Sequence, residues 1–244
     1  MDPTHGLITY DENALQRVRE DRFLIDRCDI WLFEEIQPHL GQRIIEIGCG
    51  LGNLVSHLQD REFYCGIDLS LESINYLDEK YVNCTNLRFR CLDINDISVL
   101  RLKQYQFDTV VSLNTFEHIS DDMLALRHAY ELLDPGGNLL LIVPAHSVLY
   151  GSIDRAIGHY RRYSRSDLTS KLSTAGFRLL KVKFINALGA VGWFLNSRLL
   201  AQHVPPKGQL KVMNWIVPIC QRVEKFVQFP FGISLFVVAE RQRD

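Results

Sequence analysis

The chain has 244 residues, of which 47% are hydrophobic and 23% charged, and its formal net charge is −2. This balance excludes a disordered or fibrous protein, and the near-neutral charge argues against a nucleic-acid partner, which needs a surplus of Lys and Arg. The length suits a single domain over residues 1–244 with a decorated edge.

Cysteine usage and the lack of a targeting pattern bear on the compartment. The six cysteines form no C-x-x-C pair, as is typical of reduced core residues. The sequence contains neither a signal-peptide pattern nor an apolar run long enough to span a bilayer. We therefore expect a cytoplasmic protein.

Apolar spacing along the chain predicts alternating helices and strands. Helical spacing from Asp11 to Leu40 predicts an N-terminal helical cover over residues 1–40. Helices are also expected from about Asn53, after Ser70 and over Asp121–Leu133. The predicted strands are Arg43–Ile47, Phe63–Ile67, Leu87–Cys91, Phe107–Leu113, Asn138–Val143, Arg178–Ile185 and Ile233–Ala239. This alternation predicts a parallel sheet covered on both faces.

The connection before the last strand, residues 186–230, is much longer than an ordinary loop. It carries helical patterns over Ala187–Leu200 and Leu210–Val227, the second interrupted by Pro218. We interpret this insertion as a lid over the active site. Peripheral attachment to a membrane and contact with a second subunit remain alternatives.

The most informative segment lies between the first strand and the next helical pattern and reads Glu46-Ile47-Gly48-Cys49-Gly50-Leu51-Gly52. Glycines here permit a tight turn and close approach of a ligand, although a plain strand-to-helix turn is the alternative. The third glycine is Gly52, whereas a dinucleotide fingerprint would need it at position 53. Glu46 would repel a pyrophosphate and attract an ammonium group, so we expect a ligand without phosphates.

Two aspartates follow the next two strands. Asp68 lies about twenty residues beyond the glycine loop, where a carboxylate can accept ribose hydroxyls, but it could also complement a helix N-terminus. Asp93 stands at the same edge of the predicted sheet, with a solvated loop aspartate as the alternative.

With these motifs the chain resembles the class I S-adenosylmethionine (SAM) dependent methyltransferases over about Arg43 to Ile185. The resemblance implies a Rossmann-like, seven-stranded, mostly parallel sheet with helices on both faces, and SAM as the cofactor. It also matches Asn114-Thr115-Phe116-Glu117-His118-Ile119 to the family's fourth motif and Asp134-Pro135-Gly136-Gly137 to a turn before strand five. The cofactor-binding residues that it implies are Glu46, Gly48, Cys49, Gly50, Gly52, Asp68, Leu69, Asp93, Ile94 and Asn114.

The methyl group of a sulfonium is already activated, so positioning can supply much of the catalysis. No H-E-x-x-H or clustered ligand pattern is present, and we predict no metal site. If the acceptor must lose a proton, His118 is our candidate base, because it follows strand four and imidazole titrates near neutral pH. A structural histidine is the alternative.

Aromatic and basic residues are dense after strand five, past the end of the strand where open α/β sheets bind ligands. We expect them to hold a small-molecule, lipid-like or peptide acceptor, and a salt-bridged surface loop is the alternative. The candidate residues are His146, Tyr150, His159, Tyr160, Arg161 and Arg162.

Two other functions compete with a methyltransferase. A nicotinamide-dependent oxidoreductase is disfavoured by Glu46 and by the glycine spacing. A noncatalytic SAM-binding regulatory module is disfavoured by the intact glycines and Asp68. The sequence leaves open whether oxygen, nitrogen or carbon is methylated.

Overall fold

A computed structural model of the protein describes residues 26–243, and the chain divides into two compact units. The first, the sheet unit, comprises Leu32–Val143, Arg165–Lys183 and residues 235–243. The second, the insertion unit, comprises residues 26–31, Pro144–Ser164 and Phe184–Ser234. The part of the predicted N-terminal cover that precedes residue 26 lies outside the described residues.

Seven strands and seven α-helices alternate along the described chain. The strands are β1 (Arg43–Ile47), β2 (Phe63–Asp68), β3 (Leu87–Cys91), β4 (Phe107–Leu113), β5 (Leu133–Pro144), β6 (Phe177–Ile185) and β7 (Ser234–Arg241). The α-helices are α1 (Asp26–Ile36), α2 (Leu71–Lys80), α3 (Asp122–Leu132), α4 (Ser152–Ala156), α5 (Arg165–Thr174), α6 (Ala187–Trp193) and α7 (Lys207–Phe226). A π-helical segment, Phe194–Leu199, continues α6.

The strands form one mixed sheet in the order β3-β2-β1-β4-β5-β7-β6. Parallel registers join β1 to β2 and β4, β2 to β3, and β4 to β5. The chain therefore starts at the middle of the sheet, extends to one edge and returns to the other side of β1. This reversal creates a crevice at the carboxyl ends of β1 and β4, where α/β sheets bind ligands. The predicted Rossmann-like, seven-stranded fold with surrounding helices is confirmed.

Local sequence signals place most element boundaries correctly. β1, β3 and β4 have the predicted bounds, and Ser70 caps α2 by accepting a hydrogen bond from the Ser73 amide at 3.2 Å. The Asp134–Gly137 turn is present as an irregularity in β5, because Phe107 pairs with Leu133 but Thr109 pairs with Asn138.

Two local predictions are wrong. The helix expected from about Asn53 is only a short 3-10 turn, Val55–His57, because little chain separates Gly52 from β2 and a short helix rarely repays its nucleation cost. Pro218 does not interrupt the last helix, since α7 continues through it. The Asn214 side chain donates to Asp26, and the Glu224 carboxylate accepts from the Asn186 amide. These two bonds anchor the helix on either side of the proline.

The insertion is helical, as predicted, with α6, the π-helical segment and α7 between β6 and β7. Within residues 26–243, no helix combines the length and the apolar character that crossing a bilayer demands.

Candidate active site

The glycine loop connects β1 to the 3-10 turn and lies at the crevice of the sheet unit. Gly48, Gly50 and Gly52 all have positive φ angles, of 78°, 50° and 80°. The amides of Gly48 and Cys49 both donate to the Ile67 carbonyl, at 2.8 and 3.1 Å, which ties the loop to the end of β2. This backbone conformation explains why glycine recurs at these positions.

The three glycines differ in what a side chain would meet. A Cβ at Gly48 would lie 2.2 Å from the Thr115 hydroxyl, and one at Gly52 would lie 2.5 Å from Leu77. At Gly50 nothing lies within 4 Å. Gly48 and Gly52 therefore allow neighbouring side chains to pack closely against the loop, whereas Gly50 leaves open space where a ligand can approach the backbone.

Asp68, at the end of β2, is joined directly to this loop. Its Oδ2 accepts from the Gly50 amide at 2.8 Å, and its Oδ1 accepts from the Ser70 amide at 2.9 Å. The second contact is consistent with the alternative role at a helix N-terminus. These two hydrogen bonds hold the half-buried carboxylate in place beside the open position at Gly50.

Glu46, on β1, is buried and accepts a hydrogen bond from the Tyr64 hydroxyl. Burial and the neighbouring Glu46 raise the pKa of Tyr64 well above its usual value, so Tyr64 remains a donor. Burial, with the carboxylates of Glu46 and Asp68, likewise raises the pKa of the Cys49 thiol. Direct contact between Glu46 and a ligand stays a prediction.

Sequence analysis missed Tyr64. A phenol inside an otherwise apolar strand is the signal that could have found it, since a buried tyrosine hydroxyl usually has a partner. Gly66 on the same strand makes room for it, because a Cβ there would lie 3.1 Å from that hydroxyl.

The other predicted cofactor residues flank this centre. Leu92, next to Asp93, donates from its amide to the Asp68 carbonyl at 3.1 Å, while Asp93 itself is exposed and accepts from the Asn95 amide at 2.8 Å. Ile94 is buried and Leu69 is 71% exposed. The strand ends thus bring Asp93 and Ile94 to the same edge as Asp68.

Asn114 and His118 follow β4. Asn114 is exposed, has a φ of 50° and donates from its amide to the Ile142 carbonyl at 2.8 Å. Asparagine tolerates this left-handed conformation better than most residues. His118 is exposed at the end of a 3-10 turn, Phe116–His118. Thr115, between them, lies against Gly48, so this segment adjoins the glycine loop.

The insertion unit is organised around Asp154, whose side chain is fully buried. Its Oδ1 accepts from His159 Nδ1 at 2.9 Å and from Arg162 Nε at 2.7 Å, and its Oδ2 accepts from the Gly151 amide and from Trp193 Nε1. Burial alone would raise the pKa of Asp154, but the His159 hydrogen bond and the Arg162 charge outweigh it and lower that pKa.

This network occupies two of the predicted acceptor residues. Arg162 is buried, donates also to the Ala145 carbonyl at 3.2 Å and lies 4.6 Å from the centre of the Trp193 ring. His159 is buried as well. Their contacts with Asp154 indicate a structural role, and contact with an acceptor stays a prediction. Sequence analysis did not single out Asp154, which lies five residues before His159 and eight before Arg162.

The remaining acceptor candidates are more accessible. Tyr160 is 39% exposed, and the Arg161 guanidinium lies 5.8 Å from its ring centre. Tyr150 donates from its hydroxyl to the His159 carbonyl at 2.8 Å. His146 stacks on Phe184 with ring centroids 4.7 Å apart.

His146 also has an unusual environment. Its φ is 60°, and its Nε2 is buried with no hydrogen-bond partner among the described residues. Burial and the Arg162 charge lower its pKa. The lowered pKa keeps the ring neutral at neutral pH.

Comparisons with known proteins identify the family to which the chain is similar. Residues 19–182 match the model of a protein family described as a methyltransferase domain. The chain is 23% identical over 186 residues to malonyl-[acyl-carrier protein] O-methyltransferase 1 of Ilyobacter polytropus, an alignment that covers 72% of this chain and 65% of that protein. It is 23% identical over 164 residues to the ubiquinone biosynthesis O-methyltransferase of Coxiella burnetii, covering 60% of this chain and 68% of that protein.

A solved structure shares the fold. The S-adenosylmethionine dependent methyltransferase from Mesorhizobium loti superposes with a TM-score of 0.59 and 15% identity, over 86% of this chain and 98% of that one. The chain thus spans just under two thirds of the first relative's length but almost the whole of this solved structure.

Proposed function

Because the chain belongs to the class I SAM-dependent methyltransferases, we propose that it transfers the methyl group of SAM by in-line displacement to an oxygen atom of a small acceptor with an apolar body. The observation that carries the proposal is the glycine loop fastened to Asp68 around the open position at Gly50. Family membership removes the nicotinamide-dependent alternative.

The residues of the sheet unit fit SAM chemically. Asp68 offers a fixed carboxylate to the ribose hydroxyls, and Asp93 with Ile94 would border the adenine. The open position at Gly50 would admit the methionine moiety beside the backbone. When bound, SAM supplies a methyl group that is already activated by its sulfonium, so the protein's task is to orient donor and acceptor.

Local charge favours this ligand over a dinucleotide. Glu46 and Asp68 place two carboxylates beside the loop, and Cys49 between them stays a neutral thiol because its pKa is raised. Two nearby negative charges attract an ammonium and a sulfonium but repel a diphosphate.

Two relatives of this chain are named O-methyltransferases, which supports oxygen as the methyl acceptor. A carboxyl group is already ionised near neutral pH, but a hydroxyl group must lose its proton to attack well, and we assign the removal of that proton to His118, which is exposed after β4. Such a base typically contributes about a hundredfold or more to the rate. In the insertion unit, the exposed Tyr160 and the half-buried Arg161 beside its ring support a role in holding the acceptor.

The test is transfer of a labelled methyl group from SAM to matched acceptors. An alkyl carboxylic acid, an alkyl phenol and the corresponding alkyl amine are compared under identical conditions. We expect label in the acid or the phenol and none in the amine. Labelling of the amine alone, or no labelling of any acceptor by protein that binds SAM, would contradict the proposal.

A variant then tests the base. His118→Gln should lower kcat about a hundredfold while leaving the affinity for SAM unchanged. His57→Gln, which removes another exposed histidine of the sheet unit, is the matched control and should retain the wild-type rate. Equal kcat values for His118→Gln and the wild type would remove His118 as the base.

A further inference from the structure

Helix α7 carries an apolar stripe that faces solvent. Its members recur every three or four residues, which places them along one side of the helix. Trp215 is 71% and Phe226 89% exposed, unusually high values for such large apolar side chains. The stripe consists of Val212, Trp215, Ile219, Val223 and Phe226.

Other sides of α7 are engaged within the insertion unit. Val217 is buried, and the Asn214 amide group donates to Asp26 at 2.6 Å. The Glu224 carboxylate accepts from the amides of Asn186 and Ala187 at 2.9 and 2.8 Å. These contacts fix the rotation of the helix about its axis, so the outward position of the stripe is a property of the fold.

The border of the stripe is cationic. Lys211 and Arg222 are both exposed, and each lies four residues before one of the exposed aromatics, hence beside it on the helix surface. Lys207 and Lys225 lie further along the same flank. The only acidic residue of α7 is Glu224, whose carboxylate binds backbone amides as described. The outer side of α7 therefore combines apolar side chains with positively charged ones.

We propose that α7 lies on the surface of an anionic lipid bilayer, with the stripe in the headgroup region and its cationic border against lipid phosphates. Exposed Trp and Phe beside Lys and Arg on one helix is the pattern of interfacial helices. α7 is not apolar enough to span the bilayer, as stated above for the described helices. A symmetric contact between two copies is disfavoured, because it would bring like charges together.

Binding to lipid vesicles tests this directly. Sedimentation with equimolar phosphatidylcholine and phosphatidylglycerol is compared with phosphatidylcholine alone, without SAM or acceptor. We expect the wild type to bind the anionic vesicles at least about 25-fold more tightly, because each of the two cations beside the exposed aromatics contributes about fivefold. In the double variant Lys211→Gln/Arg222→Gln, the affinity for the anionic vesicles should fall about fivefold for each charge removed. High salt screens these charges and should weaken the binding of the wild type in the same way.

The apolar contribution is separated by a second pair of variants. Trp215→Ser/Phe226→Ser should weaken vesicle binding by about tenfold or more, whereas Val82→Ser, an exposed apolar residue of the sheet unit, should have no effect. Trp215 fluorescence should shift to the blue on binding, and Trp215→Phe should bind vesicles with that shift lost, because Trp31 is buried and Trp193 is half-buried with its Nε1 bonded to Asp154.

Three outcomes would overturn the proposal. They are no sedimentation of the wild type with anionic vesicles, equal losses in Val82→Ser and Trp215→Ser/Phe226→Ser, and a wild-type dimer in solution that Trp215→Ser dissociates. The last result would assign the stripe to a second copy. A circular dichroism spectrum and a thermal unfolding midpoint equal to those of the wild type verify the fold of each variant, and because neither measurement involves SAM, this test stays independent of the methyltransferase proposal.

Discussion

Asp68 in the sheet unit and Asp154 in the insertion unit show how differently one side chain is used. Asp68 is half-buried at a strand end, and both of its oxygens accept from backbone amides. Asp154 is fully buried, and its hydrogen-bond donors include the side chains of His159 and Arg162. The first carboxylate is held at a position that a ligand can reach, and the second holds its own unit together. The two carboxylates therefore differ both in exposure and in the kind of partner that each one binds.

The comparison predicts its largest effect at Asp154. Asp154→Asn keeps the size of the side chain but removes the negative charge that Asp154 presents to the buried Arg162, which should cost about 3–5 kcal/mol of stability. Urea denaturation measures the loss. Asp60→Asn, at an aspartate whose side chain is 79% exposed, is the control and should change stability little. If the free energy of unfolding fell no further in Asp154→Asn than in Asp60→Asn, the central role of Asp154 in the insertion unit would be contradicted.

The dependence of that loss on pH sharpens the assignment. The pKa of Asp154 is lower in the folded than in the unfolded chain, so its ionised form stabilises the fold above the unfolded value, about 4. That stabilisation is lost as pH falls through the folded pKa. The stability difference between wild type and Asp154→Asn should therefore be constant near neutrality and shrink below about pH 4. If the stability difference between wild type and Asp154→Asn grew as the pH fell, the claim that an ionised Asp154 stabilises the fold would be wrong.

Tyr64→Phe should have the next largest effect. It removes the donor to the buried Glu46, and a lost hydrogen bond to a charged group costs about 1.5–3 kcal/mol. Thermal unfolding monitored by circular dichroism measures the change. Tyr105→Phe, in the same unit, is a matched control, and similar losses in both variants would argue against a specific Tyr64–Glu46 contact.

Gly50→Ala should change stability least but affect binding. The positive φ costs an alanine about 1–2 kcal/mol, and its methyl group would enter the space that we assign to SAM, so the Kd for SAM should rise about tenfold. Gly208→Ala, which also meets nothing within 4 Å but lies in α7, is the control. Unchanged affinity in Gly50→Ala would mean that the opening is not part of the cofactor site.

The same contrast explains what the sequence could predict. β1, β3 and β4 follow from short apolar runs, and the proximity of Gly50 to Asp68 follows from glycine spacing and from parallel strands that end at one edge. These signals are local. The network around Asp154 joins residues 5, 8 and 39 positions away, so no local pattern announces it. Arg162 consequently resembled a ligand-binding residue in the sequence.

The central claim is that the sheet unit binds SAM through Asp68 and the glycine loop. Isothermal titration calorimetry of wild type and Asp68→Asn with SAM tests it most directly, with Asp93→Asn as a second, exposed aspartate for comparison. Asp68→Asn should bind SAM about tenfold or more weakly than wild type, since hydrogen bonds to a charged group are lost, and Asp93→Asn should lose less. Equal affinity in Asp68→Asn and wild type, or no SAM binding by the wild type, would contradict the claim.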